Sequence, residues 1–304
     1  MLDEFKNAFQ KPNNAHVQLI FINVVVFLVL AVFKVFLTAS GNEGIFNLIH
    51  AQFAIPAQFF SFLAKPWTII TYAFVHSLDG INGIFHILFN MLIFYWFGKL
   101  FIEYLGSDKL VALYILGAVT GGIFYLLVYN IIPFYASSTP LYGMVGASAA
   151  VYAVLVATAV LLPDYTFFLM FLGPIKIKYI ALFYIVISFL GSIGDNAGGN
   201  VAHLGGALIG FVYIKQLQVG INWGGWITAM LDWFRSIFVS QPKVKVTYRK
   251  AEPKVHQTTS SRPSSKASKA SQDEIDTILD KISDRGYESL TKDEKEKLFN
   301  ASKK

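Results

Sequence analysis

Residues 143 to 162 read GMVGASAAVYAVLVATAVLL, an unbroken run without a charged side chain. A run of about 20 apolar residues is long enough to cross the hydrocarbon core of a bilayer as one α-helix. The run also holds Ser148 near its start, where a polar side chain is costly in lipid. The stretch therefore predicts a membrane-spanning helix that carries a polar group close to one end.

Five other apolar runs of similar length predict further spans. Together the six runs lie near residues 17 to 37, 83 to 103, 110 to 132, 143 to 162, 179 to 194 and 201 to 218. The chain is 55% hydrophobic and only 14% charged, which excludes a water-soluble globular protein. The predicted fold class is all-α, a polytopic membrane protein with a six-helix bundle.

The absence of cysteine narrows the chemistry that the chain can perform. With no cysteine, disulfides, thiolate metal sites and a cysteine nucleophile are excluded. Covalent chemistry would have to use Ser, Thr, Lys or a carboxylate. We expect neither a metal nor an organic cofactor.

Lysine residues mark alternate ends of the predicted spans. One set of ends carries Lys6, Lys11, Lys99, Lys109, Lys176, Lys178 and Lys215, followed by a basic tail. The intervening loops offer only Lys65. Because cytoplasmic loops carry the excess of lysine, both termini are expected in the cytoplasm. The expected location is a multi-pass protein of the bacterial cytoplasmic (inner) membrane.

This orientation brings three polar residues to one depth. The second, fourth and sixth spans all enter from the outer face, and His86, Ser148 and His203 each lie shortly after the start of one of them. Independent core residues would scatter in depth, so a shared depth predicts one site. A serine beside a histidine is typical of a nucleophile and its base.

Helical spacing places a second side chain next to His86 and another next to Ser148. His86 and Asn90 lie four apart on one face, as a pair of hydrogen-bond donors for an oxyanion. Ser148 and Tyr152 repeat that spacing, which places an aromatic ring below the serine, where it would hold a neighbouring imidazole. No carboxylate in the spans is placed to orient His203, so a two-member dyad is predicted.

Small residues predict close helix packing around the same site. Gly146 leaves little bulk at the entrance of the fourth span, so backbone and substrate can approach Ser148. His203 is followed by Gly206 and Gly210, a pattern that lets two helices touch at the backbone. The histidine is thereby brought toward Ser148.

Each feature has an ordinary explanation when taken alone. A membrane serine usually bonds the carbonyl four residues earlier, and a membrane histidine is often a satisfied core residue. Paired glycines commonly mark packing only. The combination at one depth favours a catalytic site over independent core residues.

With these motifs the chain resembles the rhomboid family of intramembrane serine proteases. The matching elements are His86-Ile-Leu-Phe-Asn90, Gly146-Ala-Ser148-Ala149 and Ala202-His203-Leu-Gly-Gly206-Ala-Leu-Ile-Gly210. The similarity covers roughly residues 15 to 218 and implies a serine endopeptidase that cuts transmembrane or membrane-proximal segments of membrane proteins. It also implies roles for single residues: Ser148 as nucleophile, His203 as general base, His86, Asn90 and the Ser148 amide as oxyanion donors, and Gly146, Tyr152 and Gly206 in support.

One departure and two alternatives accompany the resemblance. Rhomboids often carry Trp-Arg in the first outer loop, and Trp67-Thr68 stands in that place, which puts loop stability or substrate handling in doubt. A rhomboid-like protein that binds membrane clients without cutting them is the first alternative, and the presence of Ser148 and His203 argues against it. A transporter, the second, would need polar residues at mid-bilayer.

The predicted organisation has five segments. They are a cytoplasmic N-terminal segment (1–16), the six-span core (17–218), an interfacial amphipathic helix (219–240), a disordered basic linker (241–272) and a cytoplasmic helical hairpin (273–304). The expected partners are the lipid bilayer and transmembrane protein substrates. The hairpin is expected to dock on a cytoplasmic partner or the membrane surface, with solvated helices as an equal alternative. Nucleic acid is not an expected partner, because the tail mixes basic with acidic residues.

Overall fold

The computed structural model describes residues 9, 13–137, 139–140, 143–169, 173–238 and 272–302. The chain divides into a larger unit that ends at Pro242 and a smaller unit that begins at Lys243. Of the predicted N-terminal segment (1–16) only residues 9 and 13–16 are described, and of the predicted basic linker (241–272) only residue 272.

The larger unit is helical, with one small β-ribbon. Its helices are α1 (Ala15–Ala39), α2 (Glu43–His50), α3 (Phe59–Leu63), α4 (Thr68–Thr71), α5 (Gly80–Leu105), α6 (Ser107–Ile131), α7 (Pro133–Ala136), α8 (Ser148–Leu161), α9 (Ile177–Gly191), α10 (Ala197–Gln218) and α11 (Gly225–Phe238). A 3₁₀ turn spans Tyr72–Phe74, and strands β1 (Thr166–Leu169) and β2 (Gly173–Lys176) pair antiparallel before α9. The ribbon occupies a stretch for which the sequence predicted no regular element.

Four of the described helices, α1, α5, α6 and α10, are long and apolar enough to span a membrane, at 25, 26, 25 and 22 residues. The predicted fourth and fifth spans are apolar but shorter, because α8 has 14 residues and α9 has 15. At 1.5 Å per residue they reach about 21 to 23 Å, less than the roughly 30 Å of a hydrocarbon core. The all-α polytopic fold is confirmed, whereas six full-length spans are not observed.

Helix α8 lies at the centre of the larger unit. Every residue from Ala149 to Ala159 is buried, and the helix packs against α10, α6 and α5. A side chain at Gly206 would overlap the carbonyl oxygen of Ala149, so the backbones of α8 and α10 meet at that point. This approach places the first turn of α8 beside the middle of α10, where His203 lies three residues before Gly206.

The glycine-containing segment just before α8 determines where the helix begins. The helix begins at Ser148, five residues after the start expected from the apolar run. Gly146 has φ +137°, which a helix does not allow, and its N–H donates to the carbonyl of Tyr72 at 3.0 Å. Met144 forms an antiparallel bridge with Ile55 in the loop between α2 and α3. The chain therefore turns into the helix only at Ala147, whose φ is −69° and ψ −9°, and Ser148 is the first residue of a short helix.

Helix α11 lies within residues 219–240, for which the sequence predicts an interfacial amphipathic helix, and its position at a membrane surface stays a prediction. Ile227 is fully buried, whereas Trp226, Met230 and Trp233 are exposed. An exposed aromatic face next to a buried aliphatic one is typical of a helix that lies along a membrane surface.

The smaller unit is a helical hairpin of its own. It comprises α12 (Gln272–Arg285), a 3₁₀ turn (Tyr287–Ser289) and α13 (Lys292–Ser302), with Ile278 and Leu290 buried. Thr291 and Glu294 form a capping box, since the Thr291 N–H donates to Glu294 Oε2 at 2.7 Å and the Glu294 N–H donates to Thr291 Oγ1 at 3.3 Å. Thr291 and the Lys281 ammonium lower the pKa of Glu294 to about 2.

Candidate active site

Ser148 and His203 form a direct hydrogen bond in the core of the bundle. Ser148 Oγ lies 2.7 Å from His203 Nε2, although the two residues are 55 positions apart in the chain. They meet because the backbones of α8 and α10 touch at Ala149 and Gly206, which lie one residue after Ser148 and three residues after His203. As the first residue of α8, Ser148 also has a backbone N–H without an acceptor inside the helix.

The imidazole of His203 is held by Tyr152 on its ring face and by Ser188 at Nδ1. The Tyr152 ring stacks on it with centroids 4.3 Å apart and planes inclined by 13°. Ser188 Oγ lies 3.1 Å from His203 Nδ1, and the same hydroxyl donates to Tyr152 Oη at 2.8 Å. Ser188 is not among the site residues predicted from the sequence, where its one signal is a polar side chain within the apolar run of α9.

His86 shares the site, whereas Asn90 reaches it indirectly. A Cβ at Gly146 would lie 3.1 Å from His86 Cε1 and 3.5 Å from Ser148 Oγ, so His86 and Ser148 flank this glycine. The Asn90 amide donates to the backbone carbonyl of His86 at 2.8 Å. One amide hydrogen of Asn90 is thus used within α5, and the second is left for another acceptor.

A buried polar network supports His86 from behind. The His76 ring meets the His86 ring edge to face, with centroids 5.4 Å apart, and its Nε2 lies 3.0 Å from Asn23 Oδ1. Asn23 and Tyr114 are hydrogen-bonded at 3.1 Å, and the Tyr114 hydroxyl donates to the Ala73 carbonyl. Burial, and secondarily His86, lowers the pKa of His76 to about 3. The sequence analysis did not select this network.

A cavity of about 680 Å³ opens over Ser148. Its wall includes Ser77, Asp79, His86, Tyr125, Gly146, Ser148, Asp195 and Ala202. The cavity exists because α8 starts late and its neighbours continue past it. Among the described residues there is no group of three or more histidine or acidic side chains that would hold a metal ion.

Comparison with known proteins assigns the family. The model of the Rhomboid domain matches residues 63–218, just over half of the chain. The chain belongs to the rhomboid family. The tail of this rhomboid matches a second model, a family of unknown function (DUF6576), over residues 265–304.

A relative of this rhomboid is the RHOMBOID-like protein 12, mitochondrial, of Arabidopsis thaliana. The two are 31% identical over 166 residues, which is 50% of this chain and 47% of the relative. The chain therefore spans about half the length of that protein.

The loop that lacks the Trp-Arg pair is anchored by other bonds in this rhomboid. The Trp67 indole N–H donates to the Gln52 carbonyl at 2.8 Å. The Thr68 hydroxyl is buried and donates to the Lys65 carbonyl at 2.6 Å. Threonine at this position closes a local turn, whereas an arginine side chain would extend away from its own backbone.

Proposed function

We propose that this rhomboid is an intramembrane serine endopeptidase that cuts transmembrane or membrane-proximal segments of membrane proteins. The observation that carries the proposal is the 2.7 Å contact between Ser148 Oγ and His203 Nε2 beneath an open cavity. A hydroxyl and an imidazole at this distance form the minimal nucleophile and base of an acyl-transfer site.

In the acylation step, Ser148 Oγ attacks the carbonyl carbon of the scissile peptide. His203 Nε2 takes the hydroxyl proton as the new C–O bond forms, and the carbonyl oxygen becomes an oxyanion. His203 then returns the proton to the leaving nitrogen as the C–N bond breaks. The products are an ester on Ser148 and a free amine.

Three groups are assigned to the oxyanion. His86 lines the same cavity as Ser148, the Ser148 N–H is free of the helix, and Asn90 has a second amide hydrogen. Donors fixed before the reaction stabilise charge that develops only in the transition state, which is why each typically contributes about 2.7 to 4 kcal/mol.

In the deacylation step, water enters through the cavity and attacks the ester. His203 Nε2 removes the water proton and delivers it to Ser148 Oγ as the acyl group leaves. Because α8 is short, the ester lies at the base of an open cavity rather than in lipid, so water can reach it.

The charge distribution supports an orientation for the enzyme. Helices α5, α8 and α10 all begin at the end where the candidate site lies, and Lys99, Lys109 and Lys215 lie toward the opposite end or beyond it. By the excess of cytoplasmic lysine, the site opens to the extracytoplasmic side and both termini are cytoplasmic. The bacterial cytoplasmic membrane stays a prediction of the sequence.

A serine-reactive fluorophosphonate tests the proposal directly. The purified wild type is expected to be labelled, and Ser148→Ala and His203→Ala are expected to lose labelling while they remain folded. Ser137→Ala is the matched control, because Ser137 is an exposed serine that caps a local turn. Labelling that persists in Ser148→Ala contradicts the proposed nucleophile. A folded wild type that is never labelled favours the client-binding alternative.

A further inference from the structure

Ser188 is a fully buried hydroxyl on α9 that contacts the two side chains holding the base. Its Oγ lies 2.8 Å from Tyr152 Oη and 3.1 Å from His203 Nδ1. A buried hydroxyl normally bonds to a carbonyl in the preceding helical turn, which for Ser188 is the carbonyl of Tyr184. That carbonyl instead accepts from the Tyr152 hydroxyl at 3.4 Å.

The directions of these bonds define which nitrogen of His203 carries the proton. The Tyr184 carbonyl can only accept, so Tyr152 donates its single hydroxyl hydrogen there. Ser188 then donates its own hydrogen to Tyr152 and has only lone pairs left for His203. With these directions Nδ1 carries the proton, and Nε2 presents its lone pair to Ser148 Oγ.

We propose that Ser188, with Tyr152, is a positioning residue that replaces the carboxylate of a catalytic triad by an uncharged relay. The relay runs from His203 Nδ1–H to Ser188 Oγ, from Ser188 to Tyr152 Oη and from Tyr152 to the Tyr184 carbonyl. It holds the imidazole in the tautomer that a general base requires and fixes the ring plane. The inference rests on the proposed function, in which Nε2 of His203 is the general base.

An uncharged relay suits a site inside the bundle. A carboxylate at the position of Ser188 would have to be desolvated in the protein interior, at a large cost unless it were paired. A hydroxyl needs only one donor and one acceptor, and the neighbours supply both. The sequence predicted a dyad because no carboxylate in the spans is placed to orient His203. The geometry gives His203 a third, neutral partner, which is Ser188.

Kinetics of Ser188→Ala provide the first test. Removal of the hydroxyl leaves the Nδ1–H without an acceptor, so kcat for a transmembrane model substrate is expected to fall about 10- to 100-fold, with KM nearly unchanged. Ser188→Thr keeps the hydroxyl and is expected to restore most of kcat. Ser192→Ala is the matched control, because Ser192 lies one turn further along and its hydroxyl donates to the Phe189 carbonyl at the end of α9.

A spectroscopic test separates the relay from the chemistry. With ¹⁵N-labelled histidine, the wild type is expected to show His203 protonated at Nδ1 and not at Nε2, and Ser188→Ala is expected to show a mixture of both tautomers. Tyr152→Phe keeps the ring stacking, so the double variant with Ser188→Ala is expected to be no slower than Ser188→Ala alone, since both changes break one chain of bonds.

The outcomes distinguish the relay from the proposed function. Wild-type kcat and an unchanged tautomer in Ser188→Ala would overturn the relay and leave the Ser148–His203 proposal intact. A wild type that neither cleaves substrate nor reacts with fluorophosphonate would overturn the proposed function, and the tautomer measurement would still decide the relay. If Ser188→Ala fails to fold, Tyr152→Phe carries the test, because it removes the acceptor of the Ser188 hydroxyl, and a wild-type kcat and an unchanged tautomer in Tyr152→Phe would overturn the relay.

Discussion

At the scale of single residues, Asn90 has the most distinctive expected effect. Its amide is fixed by the bond to the His86 carbonyl and has one hydrogen left for the oxyanion. Because that interaction strengthens only as charge develops, Asn90→Ala is expected to lower kcat by about 10²-fold, or somewhat less if the other donors compensate, with little change in KM. The measurement is steady-state cleavage of one purified substrate.

A second asparagine supplies the control for this change. Asn200 on α10 also donates to the carbonyl four residues earlier, at 3.0 Å, and is absent from the wall of the cavity. Asn200→Ala removes that bond, and with it a second bond from the Asn200 amide to the Gly191 carbonyl at 2.9 Å, without touching the wall of the cavity. A rise in KM at constant kcat in Asn90→Ala would identify Asn90 as a residue that positions substrate.

His76 is expected to make folding sensitive to acid. Its pKa is about 3 when folded and near 6.5 when unfolded, so between these values the unfolded chain binds a proton that the folded protein does not. The free energy of unfolding should therefore fall as pH drops below 6.5, by up to about 1.4 kcal/mol per pH unit from this group.

His76→Gln isolates this contribution. Glutamine keeps an N–H that can donate to Asn23 Oδ1 but does not titrate. Thermal unfolding in detergent at pH 7 and pH 5 is expected to show a smaller loss of stability for the variant than for the wild type. Equal losses would mean that His76 is protonated within the fold.

The sequence predicted some of these residues and not others, for a physical reason. Ser148, His203 and His86 are recognisable because a polar side chain near the end of an apolar run is costly, and their spans enter from one side. Ser188 and Asn23 are equally polar, but their roles depend on how α9 and α1 rotate against their neighbours. That rotation is set by packing, which a single sequence does not display.

At the scale of elements, the contact between α8 and α10 is expected to be intolerant of any side chain. A Cβ at Gly206 would overlap the Ala149 carbonyl, so Gly206→Ala must separate the helices or distort α8. Overpacking of this kind typically costs about 1 to 3 kcal/mol. The variant is expected to unfold at a lower temperature in detergent and to cleave substrate more slowly.

Gly44→Ala is the matched control for that substitution. Gly44 lies in α2 with no atom near its missing Cβ, so alanine is expected to leave stability unchanged or to raise it slightly. If Gly206→Ala proved as stable as Gly44→Ala, close packing of the two helices would not position His203.

The start of the fourth span could not be predicted from the apolar pattern alone. Hydropathy placed the start of the fourth span at residue 143, because Gly, Met, Val and Ala are as apolar before Ser148 as after it. The backbone of Gly146 and the bridge from Met144 to Ile55 decide the true start. Both are tertiary features, and they create the cavity over the nucleophile.

At the scale of the whole molecule, the tail is expected to be separable from the chemistry. The hairpin buries its own residues Ile278 and Leu290, and the candidate site is built entirely within the larger unit. Truncation after Ser240 is therefore expected to leave the cleavage rate in detergent nearly unchanged, measured on folded protein at equal concentration. A large loss of rate would show that the tail supports the catalytic core.

The central claim is that Ser148 cleaves peptide bonds of membrane proteins with His203 as its base. The most direct measurement is incubation of purified wild type and Ser148→Ala with one single-span model substrate, with the fragments identified by mass spectrometry. The wild type is expected to yield two fragments cut within or next to the span. Ser148→Ala is expected to be slower by at least about 10³-fold while still binding the substrate. Cleavage by Ser148→Ala at the wild-type rate would contradict the claim.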